Sequence, residues 1–385
     1  MSTAWPQVRL GQVLRLDLNP EPIDAVMTYP MVGVLSFGRG LFDREPIENG
    51  KTTYRHFYRL KAEHIVMSQL FGWEGALALS SEKFSGKFLS PQFPTFLCDG
   101  NKLDRGFLGW LMRRPAFWED LGSRASGMGD RRRTLNPEAL FTCQIPLPPL
   151  PEQRRIVARI EALAAKIEEA KSLQGEVTAG LENLCRSMIF NESFASSTMT
   201  PLRELVRLRE PDVVVRSEGK YQFAGVYCFG RGVFKGHQKS GMEFAYPRLT
   251  QLQAGNFVYP KLMAWEGAFG IVPTDCDALV VSTEFPVFEV NESRVYPEVL
   301  DVYFRTPSVW PALAGVSTGT NVRRRRLNPS DFLDYKMPLP SLPVQQRLRQ
   351  VKGRADSMKK LQAETAAELA ALLPSILYKA FKGEL

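Results

Sequence analysis

The sequence predicts an α+β chain: two tandem mixed α/β domains separated by two long helices that pair as an antiparallel coiled coil, the whole pseudo-two-fold symmetric. Three observations carry this. The chain is written twice, at an offset of 192 within its 385 residues. Each copy ends in an apolar seam of coiled-coil spacing. The stretches between the seams are rich in glycine, proline and aromatic residues, with short β-branched runs that read as strands among loops.

The repeat is direct. Tyr29–Phe42 (YPMVGVLSFGRGLF) returns as Tyr221–Phe234 (YQFAGVYCFGRGVF), with eight of 14 positions identical. Trp73-Glu74-Gly75 returns as Trp265-Glu266-Gly267. Arg133-Thr134-Leu135-Asn136-Pro137 returns as Arg325-Arg326-Leu327-Asn328-Pro329, and the proline-rich Pro146–Pro151 returns as Pro338–Pro343. Four anchors share one offset, so the duplication is nearly gapless up to the second seam. A unit this long is no solenoid repeat; two similar halves are expected to sit about a two-fold axis, as homodimers do.

The order along the chain is then an α/β domain at 1–145, a central helical spacer at 146–195, a second α/β domain at 196–337 and a C-terminal helical spacer at 338–385. Pro151 is tolerated in a helix's first turn. After it, Ile156, Ile160, Leu163, Ile167, Ala170, Gln174, Val177, Leu181, Leu184 and Met188 step by four and three throughout. That is the a/d rhythm of a coiled coil. The second seam is Val344, Leu348, Val351, Ala355, Met358, Gln362, Thr365, Leu369, Leu372 and Ile376. Its offset from the first is 188, so the second copy lacks four residues, about one helical turn. Gln174 and Gln362 align at that offset, and a polar seam residue can set register. Gly175, Gly180 and Gly353 weaken both helices, so tertiary packing is expected to hold them.

Composition narrows the function. A net charge of +8 permits a nucleic-acid partner without proving one. No apolar run is long enough to span a membrane, and the start shows no secretory leader. Five scattered cysteines without a Cys-x-x-Cys fit a reducing cytoplasm, and three histidines make multi-histidine metal chemistry improbable.

At this point the sequence resembles the specificity (S) subunit of Type I restriction–modification systems. The resemblance rests on Pro146-Leu147-Pro148-Pro149-Leu150-Pro151-Glu152-Gln153-Arg154-Arg155-Ile156 leading into a long helix. It rests also on the terminal Leu373–Leu385 and on Ser282–Phe288, which looks like a strand of that family's target-recognition domains. Val344 and Gln346 stand where the first copy has Glu152 and Arg154. The resemblance implies two target-recognition domains, each reading half of a split duplex-DNA site. It implies helices that space the halves, two docked copies of a modification (methyltransferase) subunit and, in some systems, a restriction or motor subunit. The chain itself would need no cofactor, because S-adenosylmethionine would be bound by the partner methyltransferase. The implied compartment is the cytoplasm.

The competing reading is a self-contained DNA methyltransferase or nuclease. Pro211-Asp212 followed by Glu218-Gly219-Lys220 formally fits a metal-nuclease pattern, but the carboxylates are close in sequence and the first copy has nothing comparable. Asn136-Pro137-Glu138 and Asn328-Pro329-Ser330 lack the second proline and the aromatic of an adenine-methyltransferase motif. No phosphate-cradling Gly-x-x-x-x-Gly-Lys loop exists.

The DNA-contact candidates are arginines. Phe-Gly-Arg-Gly sets Arg39 and Arg231 between glycines, where a guanidinium could approach a base edge; the alternative is a structural turn shared by both copies. Arg131, Arg132 and Arg133, and Arg323, Arg324, Arg325 and Arg326, follow glycine-containing loops and could close on phosphates; the alternative is a solvated charge run. Trp73 and Trp265 read as core rather than base-stacking residues, and Glu74 and Glu266 as structural carboxylates.

Overall fold

A computed structural model describes residues 5–24, 26–48, 51–125, 133–190, 198–317 and 325–385. The chain forms two compact units: Met1–Lys171 with Thr365–Leu385, and Ser172–Glu364. Each unit therefore holds one α/β domain, the start of one long helix and the end of the other. The helices themselves run Leu150–Phe190 and Leu342–Ala380.

The two units repeat one topology. In the first, a four-stranded sheet runs in the order Leu14–Leu16, Thr95–Cys98, Ile65–Met67, Leu77–Leu79. In the second the order is Val206–Leu208, Val287–Val290, Phe257–Val258, Gly270–Ile271. All neighbours in both sheets are antiparallel. A two-strand ribbon closes each domain: Gln7–Arg9 pairs with Gln144–Pro146, and Thr198–Pro201 pairs with Lys336–Leu339. The strand leading into each long helix is thus tied to the strand that begins the domain.

Similar backbones hold different cores. The first unit packs mainly aliphatic side chains, among them Ile65, Met67, Leu77, Leu108 and Leu140. The second packs rings: Phe257 stacks on Phe332 at 5.5 Å, and Phe269, Phe288, Phe304 and Tyr259 complete the cluster. A buried polar position diverges as a pair. His64 Nε2 lies 2.9 Å from Asp17 Oδ2 in the first unit. At the same offset, Asn256 Oδ1 accepts from Arg209 Nη1 at 2.7 Å. Burial holds the His64 imidazole below its ordinary value although Asp17 pulls it upward, so it favours the neutral form.

Each long helix is fastened to its domain by one buried glutamine. Gln153 is 0% exposed. Its Nε2 donates to the Lys102 and Pro148 carbonyls, both at 2.8 Å, and its Oε1 accepts from the Asp104 amide at 2.7 Å. Gln345 repeats the set: Nε2 donates to the Pro340 carbonyl at 2.8 Å and to the Arg294 carbonyl at 3.2 Å, and Oε1 accepts from the Tyr296 amide at 3.0 Å. The proline-rich approach supplies a carbonyl that no local backbone N–H claims.

The helix seams are buried at their ends and open in the middle. Ile156 and Ile160 enter the first core, beside Leu377, Ala380 and Phe381 from the end of the other helix. Met188 and Leu348 enter the second, with Cys185 and Ile189. These neighbours widen the stripe from a two-position seam to a globular face. Ile167 and Ala355 are also buried; Leu163, Leu181, Val351 and Leu369 are half-buried; Gln174, Val177 and Met358 are exposed. Within the second unit the pairing is antiparallel: Lys359 bonds Glu182, and Gln362 Nε2 donates to the Gln174 carbonyl at 2.9 Å and to Thr178 Oγ1 at 3.0 Å. In the first unit Arg155 donates to the Leu385 carbonyl at 3.0 Å, the same sense of pairing. A Cβ on Gly175, Gly180 or Gly353 would meet nothing within 4 Å, so no close packing requires these glycines.

Gln153→Leu would remove the partners of three backbone groups around a fully buried side chain. The expected loss is about 2–4 kcal/mol of unfolding free energy, read by urea denaturation of the full chain. Gln345→Leu should behave alike in the second unit.

Candidate nucleic-acid interface

The repeated motifs interlock. Phe-Gly-Arg-Gly forms the tip of a hairpin between Val32–Leu35 and Gly40–Asp43, and between Lys220–Tyr227 and Gly232–Ser240. Its first two residues are left-handed in both copies: Phe37 and Gly38 each have φ of 63°, and Phe229 and Gly230 have φ of 61° and 66°. That twist suits a tight hairpin. Each tip is bonded to the Trp-Glu-Gly turn. Phe37 N donates to Glu74 O at 2.8 Å and Gly38 N to Gly75 O at 3.0 Å; Phe229 and Gly230 make the same bonds to Glu266 and Gly267. Ser36 Oγ adds a bond to Glu74 Oε2 at 3.2 Å. Burial raises the Cys228 thiol, helped by its hydrogen bond to the Glu266 carboxylate.

The glycine of each Trp-Glu-Gly is required. Gly75 and Gly267 have φ of 79° and 75°. A Cβ there would lie 2.5 Å from the Trp118 ring or 2.3 Å from the Trp310 ring. Those indoles are fixed by their N–H groups, which donate to the carbonyls of Met112 and Phe304. Trp73 and Trp265 are half-buried rather than core, each donating to a nearby loop carbonyl.

This lock presents the arginines. Arg39 and Arg231 are exposed. Each folds back on its own turn, with Nε donating to Ser36 O at 3.0 Å and to Cys228 O at 3.2 Å. The Arg231 guanidinium also lies 4.5 Å from the centre of the Tyr227 ring. The turn is therefore structural in its backbone and cationic at its surface.

Of the arginine runs, Arg131, Arg132, Arg323 and Arg324 lie outside the described residues. Arg133 sits 5.6 Å from the Trp73 ring centre. Arg325 donates to Ala314 O at 3.5 Å, and Arg326 pairs with Glu284. Asp212 is occupied by Arg209 and the Gln251 amide, both at 2.8 Å. Among the described residues, no group of three or more His, Cys, Asp and Glu side chains could hold a metal, and no helix is long and apolar enough to cross a membrane.

Two features escaped the sequence pattern. The glutamine locks are invisible until the chain folds, although Gln153 and Gln345 do align. Phe37 and Phe229 are exposed, at 56% and 65%, in a conformation that costs a bulky residue energy. Each ring leans on the indole beside its turn, Phe37 on Trp118 at 5.9 Å and Phe229 on Trp310 at 6.4 Å.

No protein-family model matches the chain. It is similar to the specificity subunit of the Type I restriction enzyme EcoBI from Escherichia coli, 22% identical over 293 residues. That likeness covers 65% of this chain and 60% of the relative, so the chain spans less than two thirds of that protein's length. The crystal structure of an HsdS subunit from Thermoanaerobacter tengcongensis superposes with a TM-score of 0.57 at 22% identity, covering 100% of this chain and 98% of that one. A chain from a type I R-M system, solved for its complex assembly and conformational transition, gives 0.65 at 21%, covering 100% and 99%. The fold is that of a Type I specificity subunit. One long helix lies between its two α/β domains in sequence, and the other follows the second domain.

Two glycine-to-alanine substitutions should move stability in opposite directions. Gly267→Ala combines a left-handed backbone with a clash on Trp310 and is expected to cost about 2–4 kcal/mol. Gly175→Ala, in open space on a helix, is expected to gain about 1 kcal/mol. Thermal unfolding of both variants checks the pair.

Proposed function

We propose that the chain is a non-catalytic, sequence-specific DNA-binding subunit that recognises a split duplex target. It directs adenine-methyltransferase subunits to that target, and restriction subunits where a system has them. One observation carries the reading: a single fold occurs twice, each copy presents an exposed arginine on an interlocked hairpin tip, and the copies are joined through two long paired helices. The likeness to specificity subunits supports it. The half-exposed middle of the helix pair, with Leu173, Val177, Met358 and Leu361 open to solvent, suits docking of two copies of a modification subunit. S-adenosylmethionine then belongs to that partner. Turnover of DNA by the purified chain alone, with S-adenosylmethionine or with Mg²⁺, would overthrow this reading.

The helices act as a spacer. Deleting four residues from the exposed stretch of the first helix removes about 6 Å of rise, roughly two base pairs. Methylome sequencing of cells expressing the variant with its cognate methyltransferase should show a shortened gap. An unchanged gap would defeat the spacer role.

If Arg39 reads a base, Arg39→Ala should cost about 1–3 kcal/mol and relax one position of one half-site. Even weakening across all sequences would instead assign Arg39 to phosphate or to the turn. The same methylome readout separates the two outcomes.

A further inference from the structure

The two copies share the hairpin tip but not its arms. In the first unit the strands span four residues each; in the second they span eight and nine, Lys220–Tyr227 and Gly232–Ser240. Ala224, Val226 and Val233 face a hydrophobic cluster, so alternation turns Tyr221, Phe223, Gly225 and Tyr227 outward. Across the register, Phe234 opposes Gly225 and Lys239 opposes Tyr221. A bulge between Gln222 and Ala224 adds one residue to the second strand. That shift brings Lys239, rather than Gln238, onto the face that carries Phe234.

The outward face is aromatic and cationic. Phe234 fills the space above Gly225 and stacks on Tyr227 at 3.9 Å. The Lys239 ammonium lies 5.9 Å from the Phe223 ring centre, and Phe223 and Tyr221 meet Phe244 at 5.2 and 5.9 Å. Tyr227 remains 41% exposed. Lys235, His237 and Lys239 lie exposed along the last strand of its sheet. Residues 213–248 carry six Lys and Arg against two Asp and Glu, whereas the matching 21–56 carry four against five. One of the two acids, Glu243, caps the Ser240 amide. In the first copy the matching Tyr29 and Met31 are buried with Phe57 and Phe88. The first copy spends this face on a small core; the second leaves it half-exposed, with Lys239 beside its rings.

We propose that the outward face and free edge of this second hairpin form a duplex-DNA contact surface with no counterpart in the first half. Lys239, on the outward face, would meet one phosphate; Lys235, which the register sets opposite Ala224 on the other face of the same edge strand, would reach another from the edge; and the Tyr227–Phe234 stack would meet sugar or a thymine methyl. An exposed Tyr227 ring and half-buried Phe234, with Lys239 on the same face and Lys235 along the edge, suit a polyanion that also offers apolar edges. The proposal rests on the DNA-binding function above and specifies its asymmetry.

The test uses the full chain and a labelled 40-bp duplex pool of random sequence, with binding followed by fluorescence anisotropy across a KCl series. Lys235→Gln with Lys239→Gln should weaken binding and flatten the slope of log K against log salt by about two, one for each phosphate no longer neutralised. Tyr227→Ser should weaken binding several-fold at unchanged slope. Arg44→Gln with Lys51→Gln, the same charge removed from the first copy, should leave the slope as in the unaltered chain. Melting curves confirm that each variant is folded. If the unaltered chain binds and the folded lysine variant matches it, the surface is wrong and the DNA reading stands. An equal effect of the first-copy control would reduce the result to overall charge and overturn the asymmetry. Self-association of the lysine variant without a change in DNA binding would overturn the surface and assign the lysines to guarding a sheet edge. Failure of the unaltered chain to bind any duplex would remove the DNA reading and this surface together.

Discussion

The glutamine at the first turn of each long helix is the contact on which the arrangement depends. A helix start leaves backbone groups without partners, and a proline-rich approach leaves carbonyls without donors. Gln153 and Gln345 each use one side-chain amide to accept from the N–H of Asp104 or Tyr296, the residue that begins a short domain helix, and to donate to two carbonyls, one of them in the proline-rich approach. The contact is buried, so water cannot substitute for it, and it links the helix to the loop that precedes the domain's own short helices.

Beyond that point the helices obey two different demands. Two helices can bury an a/d seam between them, but here burial is concentrated where a domain core adds a further neighbour. Ile156, Ile160, Met188 and Leu348 are buried because they belong to domain cores as much as to the pair. In the middle only the partner helix is available, and polar contacts such as Gln362 to Gln174 and Thr178 replace close packing. The open glycines there match that looseness.

Duplication also shows which positions are constrained by geometry and which by content. Gly75 and Gly267 stay the same because left-handed backbone and the adjacent indole leave no room for a Cβ. The core is free to change from aliphatic to aromatic, and a buried His64–Asp17 pair can become Asn256–Arg209, since each set satisfies its own volume and hydrogen bonds. The hairpin arms, held by fewer such constraints, diverge most.

The sequence by itself determined the duplication, the α+β class, the positions of both long helices and the pairing of their seams, because repetition and periodicity are local signals that survive without coordinates. It also marked the hairpin tip, since identical residues recur at one offset. What it could not decide was the meaning of those residues. Whether Arg39 and Arg231 lie on the surface, why glycine is needed beside Trp118 and Trp310, and where each helix seam is buried all depend on neighbours distant in the chain. The burial of Gln153 and Gln345 is the clearest case. Their partners lie about 50 residues away as well as nearby, and only the folded domain brings those carbonyls and amides to one point.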